Sequence, residues 1–398
     1  MREVVIVGAA RTPFGVFGGS LKPLKAVELG AIAIKEAINR AGITPDKLDY
    51  GIYGMVVQAG AGQVPGRQAM LKAGVPNEVP SITVNKVCSS GIIGVGLSYK
   101  LIAAGWYDVM LAGGMESMSN IPYAVPDLRW GQRMAVPHGK TTDLMVWDGL
   151  WCALYNRHMA IHGSEVAREY GLGREPQDRW ACRSQNRAEA AIKAGKFKDE
   201  IVPVTVPGKT PVVVEQDEAP RFGCTYEQLA KLPPVFDPNG TVTAGNAPGV
   251  NDGASALVLM AREKADELGI KPLATVLGYA EVSQEARYIA TVPGLSIKKL
   301  LEEKGMSVHD MDLIEINEAF AAVALTSGQA ILGLSDEEMD AKVNVNGSAV
   351  ALGHPIGASG GRIVMTLAYE LKRRGGGIGV AGICSGAAQG DACLIKVE

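Results

Sequence analysis

ITVNKVCSSG (82–91) and VNVNGSAVALGHPIGASGG (343–361) decide the fold. Each leads from a β-branched apolar run through an asparagine into a turn rich in Gly, Ser and Ala, and then into a helical pattern. Asn85 and Asn346 hold the same place in the two stretches, 261 residues apart. The match persists outward. A helical pattern stops at Gly42 before ITPDKLDYGIYG, and another stops at Gly305 before MSVHDMDLIEIN, 263 residues further on. Glycine just past a helix end accepts the left-handed cap conformation that other residues resist. Downstream, each copy passes a strand at Ala112-Gly113 or Ala381-Gly382 and closes on a polar turn and a last strand, NDGASALVLM or GDACLIKV. The chain reads as two copies of one unit.

Short β-branched runs recur at 3–8, 81–85, 108–114, 256–260, 313–317, 343–347, 377–383 and 392–397. Amphipathic segments lie between several of them. Lys25–Ala41 places Val27, Ala31, Ile34 and Ile38 at helical spacing. Strands apolar throughout, alternating with helices, indicate sheets covered on both faces, so the fold class is α/β. The copies differ in one respect. Gly113 to Asp252 spans 139 positions and Gly382 to Asp391 spans 9, so the first copy carries about 130 extra residues. The expected division is a first half over 1–119, completed by 246–270, an inserted domain over 120–245, and a second half over 271–398. The insertion reads as a lid or an oligomerisation element, with Trp130, Trp147 and Trp151 in its core. A site is expected where loops of the two halves meet.

Composition narrows the function. The chain has 398 residues and a net charge of −3, with 6% aromatics, which speaks against nucleic-acid and anionic-membrane binding. Six cysteines in this length are no disulfide framework. No stretch approaches the roughly 20 apolar residues of a membrane span. MREVVIVGAARTP reads as a strand, not a leader, and LIKVE is no peroxisomal address. The expectation is an enzyme in a reducing cytoplasm.

Cys88 sits where the SITVN strand meets the following helix. Helix N-terminal N–H groups favour a thiolate there, so a lowered thiol pKa is expected; the alternative is a packing cysteine. His354, held extended by Pro355, falls in the second copy's equivalent turn. An imidazole near a thiol suits nucleophilic catalysis; otherwise it is a turn histidine. Cys384, after GIGVAGI, suits acid–base work or redox pairing with Cys88. Asn317 either caps the next helix or fixes a water or oxyanion. GAGQVPG (60–66) has Pro65 where a dinucleotide motif needs glycine. His158 and His162 are four apart but lack the carboxylate of a HExxH zinc motif, and no metal site is expected. His138 and His309 read as surface residues, and Cys152, Cys182, Cys224 and Cys393 as packing residues. Arg373 and Arg374 complement a helix C-terminus.

Together these motifs resemble the thiolase family. VNKVCSSG resembles its nucleophile motif, and QAGAGQVPGRQA the segment before it. GGMESMSN resembles the entry to its loop domain. TAGNAPGVNDGASA, NEAFAA, NVNGSAVALGHPIGASGGR and CSGAAQG complete the set, which runs from first strand to last. The resemblance implies a five-layered αβαβα thiolase fold of two repeated halves with an inserted loop domain. It implies acetyl-CoA C-acetyltransferase activity, with ping-pong kinetics through acyl-Cys88. His354 would take the thiol proton, and Cys384 would act as acid or base at the α-carbon. Asn317 would hold a water that forms one oxyanion hole with His354, and the N–H groups of Cys88 and Gly386 would form the other. His158, Arg221, Ala244 and Gly249 would contact CoA, and Phe320 would wall the acyl pocket. CoA thioesters are then substrates, no cofactor is tightly bound, and a homodimer or homotetramer is implied.

The sequence departs from the family pattern in three places. Pro248 replaces a usual serine, IATVP (289–293) a usual MGTGP, and Ala387 and Ala388 usual glycines. These bear on CoA affinity and acyl preference. The alternatives are a 3-ketoacyl-CoA thiolase for longer chains, a ketoacyl synthase, and a non-catalytic lipid carrier. A synthase commonly has histidine where Asn317 stands, and a carrier would lack one of Cys88, His354 or Cys384.

Overall fold

The computed structural model describes residues 1–130 and 140–398, the side chains of Asp127 and Trp130 aside. In chain order the first half supplies β1 (Val4–Arg11), α1 (Ala26–Ala41), β2 (Tyr50–Gly54), α2 (Pro65–Lys72), β3 (Ser81–Val84), α3 (Ser90–Ala103), β4 (Val109–Ser117) and β5 (Asn251–Ala261). Its strands lie in the order β1-β5-β4-β2-β3. The second half supplies β6 (Ala274–Ser283), α6 (Val292–Glu303), β7 (Leu313–Ile316), α7 (Ile356–Arg373), β8 (Gly377–Ser385) and β9 (Gln389–Val397). Its order is β6-β9-β8-β7, with Val343 adding a single bridge to Ile314. The two orders are the same. The halves join where Val4–Ile6 pair antiparallel with Ala274–Val276.

The repeat extends to hydrogen bonds. Gly42 (φ 69°) and Gly305 (φ 66°) both end helices in the left-handed region. Asp49 then accepts from Val109 N–H at 2.9 Å, and Asp312 from Ile378 N–H at 2.8 Å, so each aspartate locks the same strand pair. β1 bulges between Ile6 and Gly8, and β6 between Val276 and Gly278. Gly8 is required there: a Cβ would stand 2.2 Å from Ala37 O of α1.

Helices α1 and α2 cover the first sheet and α6 the second, while α3 and α7 lie between the sheets. The GASGG run of α7 lets the two middle helices touch. A Cβ on Gly360 would meet Ile92 N at 2.3 Å. The layers are α, β, α, β, α, as the fold expectation has it. The middle pair matters most for chemistry, because Cys88 stands two residues before α3 and His354 two residues before α7.

The segment between β4 and β5 carries α4 (Met159–Glu169), α5 (Arg174–Lys193) and short two-stranded ribbons. Buried ion pairs bind it to the core. Arg11, at the end of β1, donates to Glu200 Oε1 at 2.7 Å and to Asp217 Oδ1 at 2.6 Å, with all three side chains buried. Removing one partner would strand a buried charge, at about 3–5 kcal/mol.

Three expectations need correcting. Residues 343–347 do not form a strand. Asn344 turns to φ 48° and its amide instead bonds Ile316 N–H and C=O at 2.8 Å each, so the side chain replaces a strand partner. The strand 274–283 was not expected, because Gly278 and Glu281 interrupt its apolar pattern. Trp147 is 46% exposed and stacks on Trp151 at the surface, so it is not core; Trp130's side chain and His138 lie outside the described residues. No helix among the described residues is long and apolar enough to cross a membrane.

Candidate active site

The turn after β3 is built to present Cys88. Asn85 Oδ1 accepts from Val87 N–H at 2.9 Å, and Ser90 Oγ donates to Val87 O at 2.7 Å. Val87 is thereby held at φ 45°, a conformation that a β-branched residue adopts only under strain. Two links tie this turn to the second half. Ser385 Oγ donates to Lys86 O at 2.6 Å, and Lys86 Nζ pairs with Asp391 at 2.9 Å. The end of β8 and the turn before α3 therefore share one wall.

That wall opens into a largely apolar cleft. Cys88, His354, Cys384 and Gly386 all line it, as do His158, Gly249 and Phe320. The backbone N–H groups of Cys88 and Gly386 lie close enough to the Cys88 thiol for both to lower its pKa. Two donors are what an oxyanion next to that sulfur requires.

The tautomer of His354 follows from its partners. Ser359 Oγ donates its single proton to Pro355 O at 3.0 Å, and it lies 2.6 Å from His354 Nδ1. With that proton on Pro355 O, Ser359 Oγ accepts from Nδ1–H, and Nε2 is a bare acceptor. Nε2 is buried and has no partner. Asn251 Oδ1 fixes the backbone by accepting from His354 N–H at 2.9 Å. Burial, and then the Arg362 charge, push the imidazole down to about 3. It is neutral at physiological pH.

The expected low thiol pKa is reversed. Cys88 is only 6% exposed, and burial pushes its thiol up to about 12, outweighing the N–H groups that lower it. Cys384 is also pushed well above the ordinary thiol value, by burial and then by Cys88. The resting site holds neutral thiols beside a neutral base. Alkylation of free Cys88 by iodoacetamide is therefore expected to rise about tenfold per pH unit from pH 6 to 9. A plateau below pH 8, measured by peptide mass spectrometry, would contradict the neutral resting thiol.

Asn317 follows β7, fully buried, but it is not a cap. Its Oδ1 accepts from Arg362 at 3.2 Å, and its Nδ2 has no partner. The side chain does not line this cleft, although Ala319 and Phe320 beside it do. His158 Nδ1 accepts from Ala160 N–H at 3.1 Å, and its ring stacks on Phe236 with centroids 3.6 Å apart. Burial pushes it down to about 4. His162 instead bonds Arg157, and among the described residues no three His, Cys, Asp or Glu side chains gather as a metal site. Arg221 and Ala244 lie outside the cleft lining; they meet each other, Arg221 donating to Ala244 O at 3.2 Å. His309 is exposed and pairs with Glu338. Cys152, Cys224 and Cys393 are buried, Cys182 is half-buried, and all six cysteines are free.

Sequence reading missed four buried contributors: Ser359, Asn251, Arg362 and Glu116. Glu116 accepts from Val56, Val57 and Gly357 N–H groups at 3.0–3.2 Å, joining the first half to the start of α7. Burial raises its carboxyl to about 7. The departures also have a place. Pro248 and Ile289 line the cleft, and Ala387 and Ala388 take φ 58° and 49° in the Gly386 loop, a strain glycine would relieve.

Comparison with known proteins agrees with this arrangement. Residues 4–263 match the family model "Thiolase, N-terminal domain", and residues 270–397 match "Thiolase, C-terminal domain". The chain is 48% identical to an acetyl-CoA acetyltransferase of Syntrophomonas wolfei over 396 residues, 99% of each chain. It is 48% identical to an acetyl-CoA acetyltransferase of Cupriavidus necator over 398 residues, all of both. The crystal structure of the Bacillus anthracis acetyl-CoA acetyltransferase superposes with a TM-score of 0.95 at 42% identity, covering 100% of this chain and 99% of that one.

Proposed function

The chain belongs to the thiolase family, and on that premise we infer that it is an acetyl-CoA C-acetyltransferase. It reversibly joins two acetyl-CoA into acetoacetyl-CoA and CoA, through an acetyl-Cys88 thioester. The observation that carries this reading is the meeting of Cys88 from one half with His354 and Cys384 from the other in one apolar cleft.

The steps follow from the groups present. Cys88 Sγ attacks the thioester carbonyl while His354 Nε2 takes its proton. Both start neutral, so the apolar cleft holds no unpaired charge before substrate enters. The N–H groups of Cys88 and Gly386 bind the oxygen of the tetrahedral intermediate; each well-aimed donor is worth about 3 kcal/mol. CoA departs with the Cys384 proton, leaving a thiolate at 384 and an imidazolium at 354. A second acetyl-CoA then loses an α-proton to Cys384. Its thioester oxygen, now an enolate, is held by His354 and by a water on Asn317. The α-carbon attacks acetyl-Cys88, and the released Cys88 sulfur recovers its proton from His354. A thiol whose pKa is raised is a strong base once ionised, which suits a weak carbon acid.

The pantetheine arm runs past His158 and Gly249, and the nucleotide reaches Arg221 and Ala244 outside the cleft. Pro248 offers no hydroxyl to that arm. The catalytic halves are residues 1–119 with 246–270 and residues 271–398, and the loop domain is 120–245. The protein works as a homodimer or homotetramer in the cytoplasm. Support comes from β3, a sheet edge with Ile82 45% exposed, and from six unpaired cysteines.

The test is loss of acetoacetyl-CoA enolate absorbance on adding CoA, repeated with longer 3-ketoacyl-CoAs. Fastest loss with acetoacetyl-CoA is expected. Faster turnover of long chains would make the protein a longer-chain thiolase, and no turnover of any would make it a carrier.

A further inference from the structure

We propose that Arg362 is a positioning residue for the carbon–carbon step: it sets the Asn317 amide so that its N–H, not its oxygen, serves the enolate. The proposal rests on the reading of Asn317 given above.

The geometry leaves the amide one orientation. Asn317 is fully buried, and its backbone is anchored by N–H donation to Gly382 O at 2.9 Å. Arg362, also fully buried, places one terminal nitrogen 3.2 Å from Asn317 Oδ1 and 3.0 Å from Ser348 Oγ. Its other terminal nitrogen reaches Glu315 Oε2 at 3.4 Å. A guanidinium can only donate, so the amide end that faces it must be the oxygen. A reversed amide would set N–H against N–H. Nδ2 therefore points away from Arg362, buried and without a partner. His354 Nε2 is in the same condition. Buried polar atoms are nearly always paired, so a rigidly aimed, unpaired donor marks a place kept for a ligand or water oxygen. His354 stands two residues before α7 and Arg362 lies within it, so one helix anchors both groups.

The claim separates the two half-reactions. Acetyl transfer to Cys88 uses the Cys88 and Gly386 N–H groups, and only the carbon–carbon step uses Asn317. Two rates are measured for Arg362→Lys, Arg362→Gln and Asn317→Ala. One is thiolysis of acetoacetyl-CoA, and the other is exchange of acetyl between acetyl-CoA and isotope-labelled CoA. All three variants are expected to lose about 10²-fold in thiolysis kcat, the usual loss for one oxyanion donor; Arg362→Lys and Asn317→Ala keep exchange within about threefold, and in Arg362→Gln, which also removes the charge acting on His354, thiolysis falls much further than exchange. Arg362→Lys added to Asn317→Ala should cost nothing more, because the residue acts through that amide. A parallel fall of both rates in the Arg362 variants, or a full further loss in the double variant, overturns the proposal. Unchanged thiolysis in Asn317→Ala overturns the role of Asn317 itself; a loss there with wild-type Arg362 variants overturns only this inference. If the Arg362 variants do not fold, a neutron structure of the wild-type protein with acetyl-CoA decides. Asn317 Oδ1 on Arg362 with an oxygen at Nδ2 supports the proposal, and a reversed amide overturns it.

Discussion

Cys88→Ala is expected to abolish condensation and thiolysis together, by at least about 10⁴-fold, with the fold intact. Cys384 lines the same cleft, but it is the thiol at 88 on which the Cys88 and Gly386 N–H groups act. Loss of a covalent nucleophile removes the intermediate through which both directions pass, so the effect falls on kcat as a whole. The structural cost is small, since one buried sulfur is removed beside an open cleft, about 1 kcal/mol. Steady-state rates with a thermal melt separate the two. A variant that melts like the parent and still turns over at a tenth of its rate would sink the nucleophile assignment.

Cys384→Ala should divide the reaction. Carbon–carbon bond making and breaking are expected to fall by about 10²–10⁴, the usual contribution of a positioned acid or base. Exchange of acetyl between acetyl-CoA and labelled CoA should survive, because CoA leaving with a proton from His354 or water can replace the Cys384 proton. Loss of exchange as severe as that of condensation would show that Cys384 serves Cys88 and not the α-carbon.

Much of the architecture was legible because the repeat is written in local chemistry. The Gly42 and Gly305 caps and the aspartates seven residues later are short-range features that the structure realises in duplicate, and the turn and helix after residue 85 recur after residue 346 without the strand. Cys88 and His354 could be found because each occupies a junction between elements. Ser359 lies only five positions from His354, but the other missed residues act over long separations. Asn251 holds His354 from 103 positions away, and Glu116 holds Gly357 from 241. Nothing in the sequence singles out Arg362; its burial among Asn317, Ser348 and Glu315 does. The thiol pKa was misjudged for a related reason: helix N-terminal N–H groups are local and visible, whereas burial at the meeting of the two halves is not. Residues 343–347 have strand composition, but the Asn344 side chain supplies the hydrogen bonds that a strand would have made.

Incubation with acetyl-CoA in the absence of free CoA, followed by acid quench and peptide mass spectrometry, tests the acyl-transfer account most directly. One acetyl group is expected on the peptide that carries Cys88, removed on adding CoA with regeneration of acetyl-CoA. Acetylation at Cys384 or elsewhere, or an unmodified Cys88 in protein that is turning over, would contradict it.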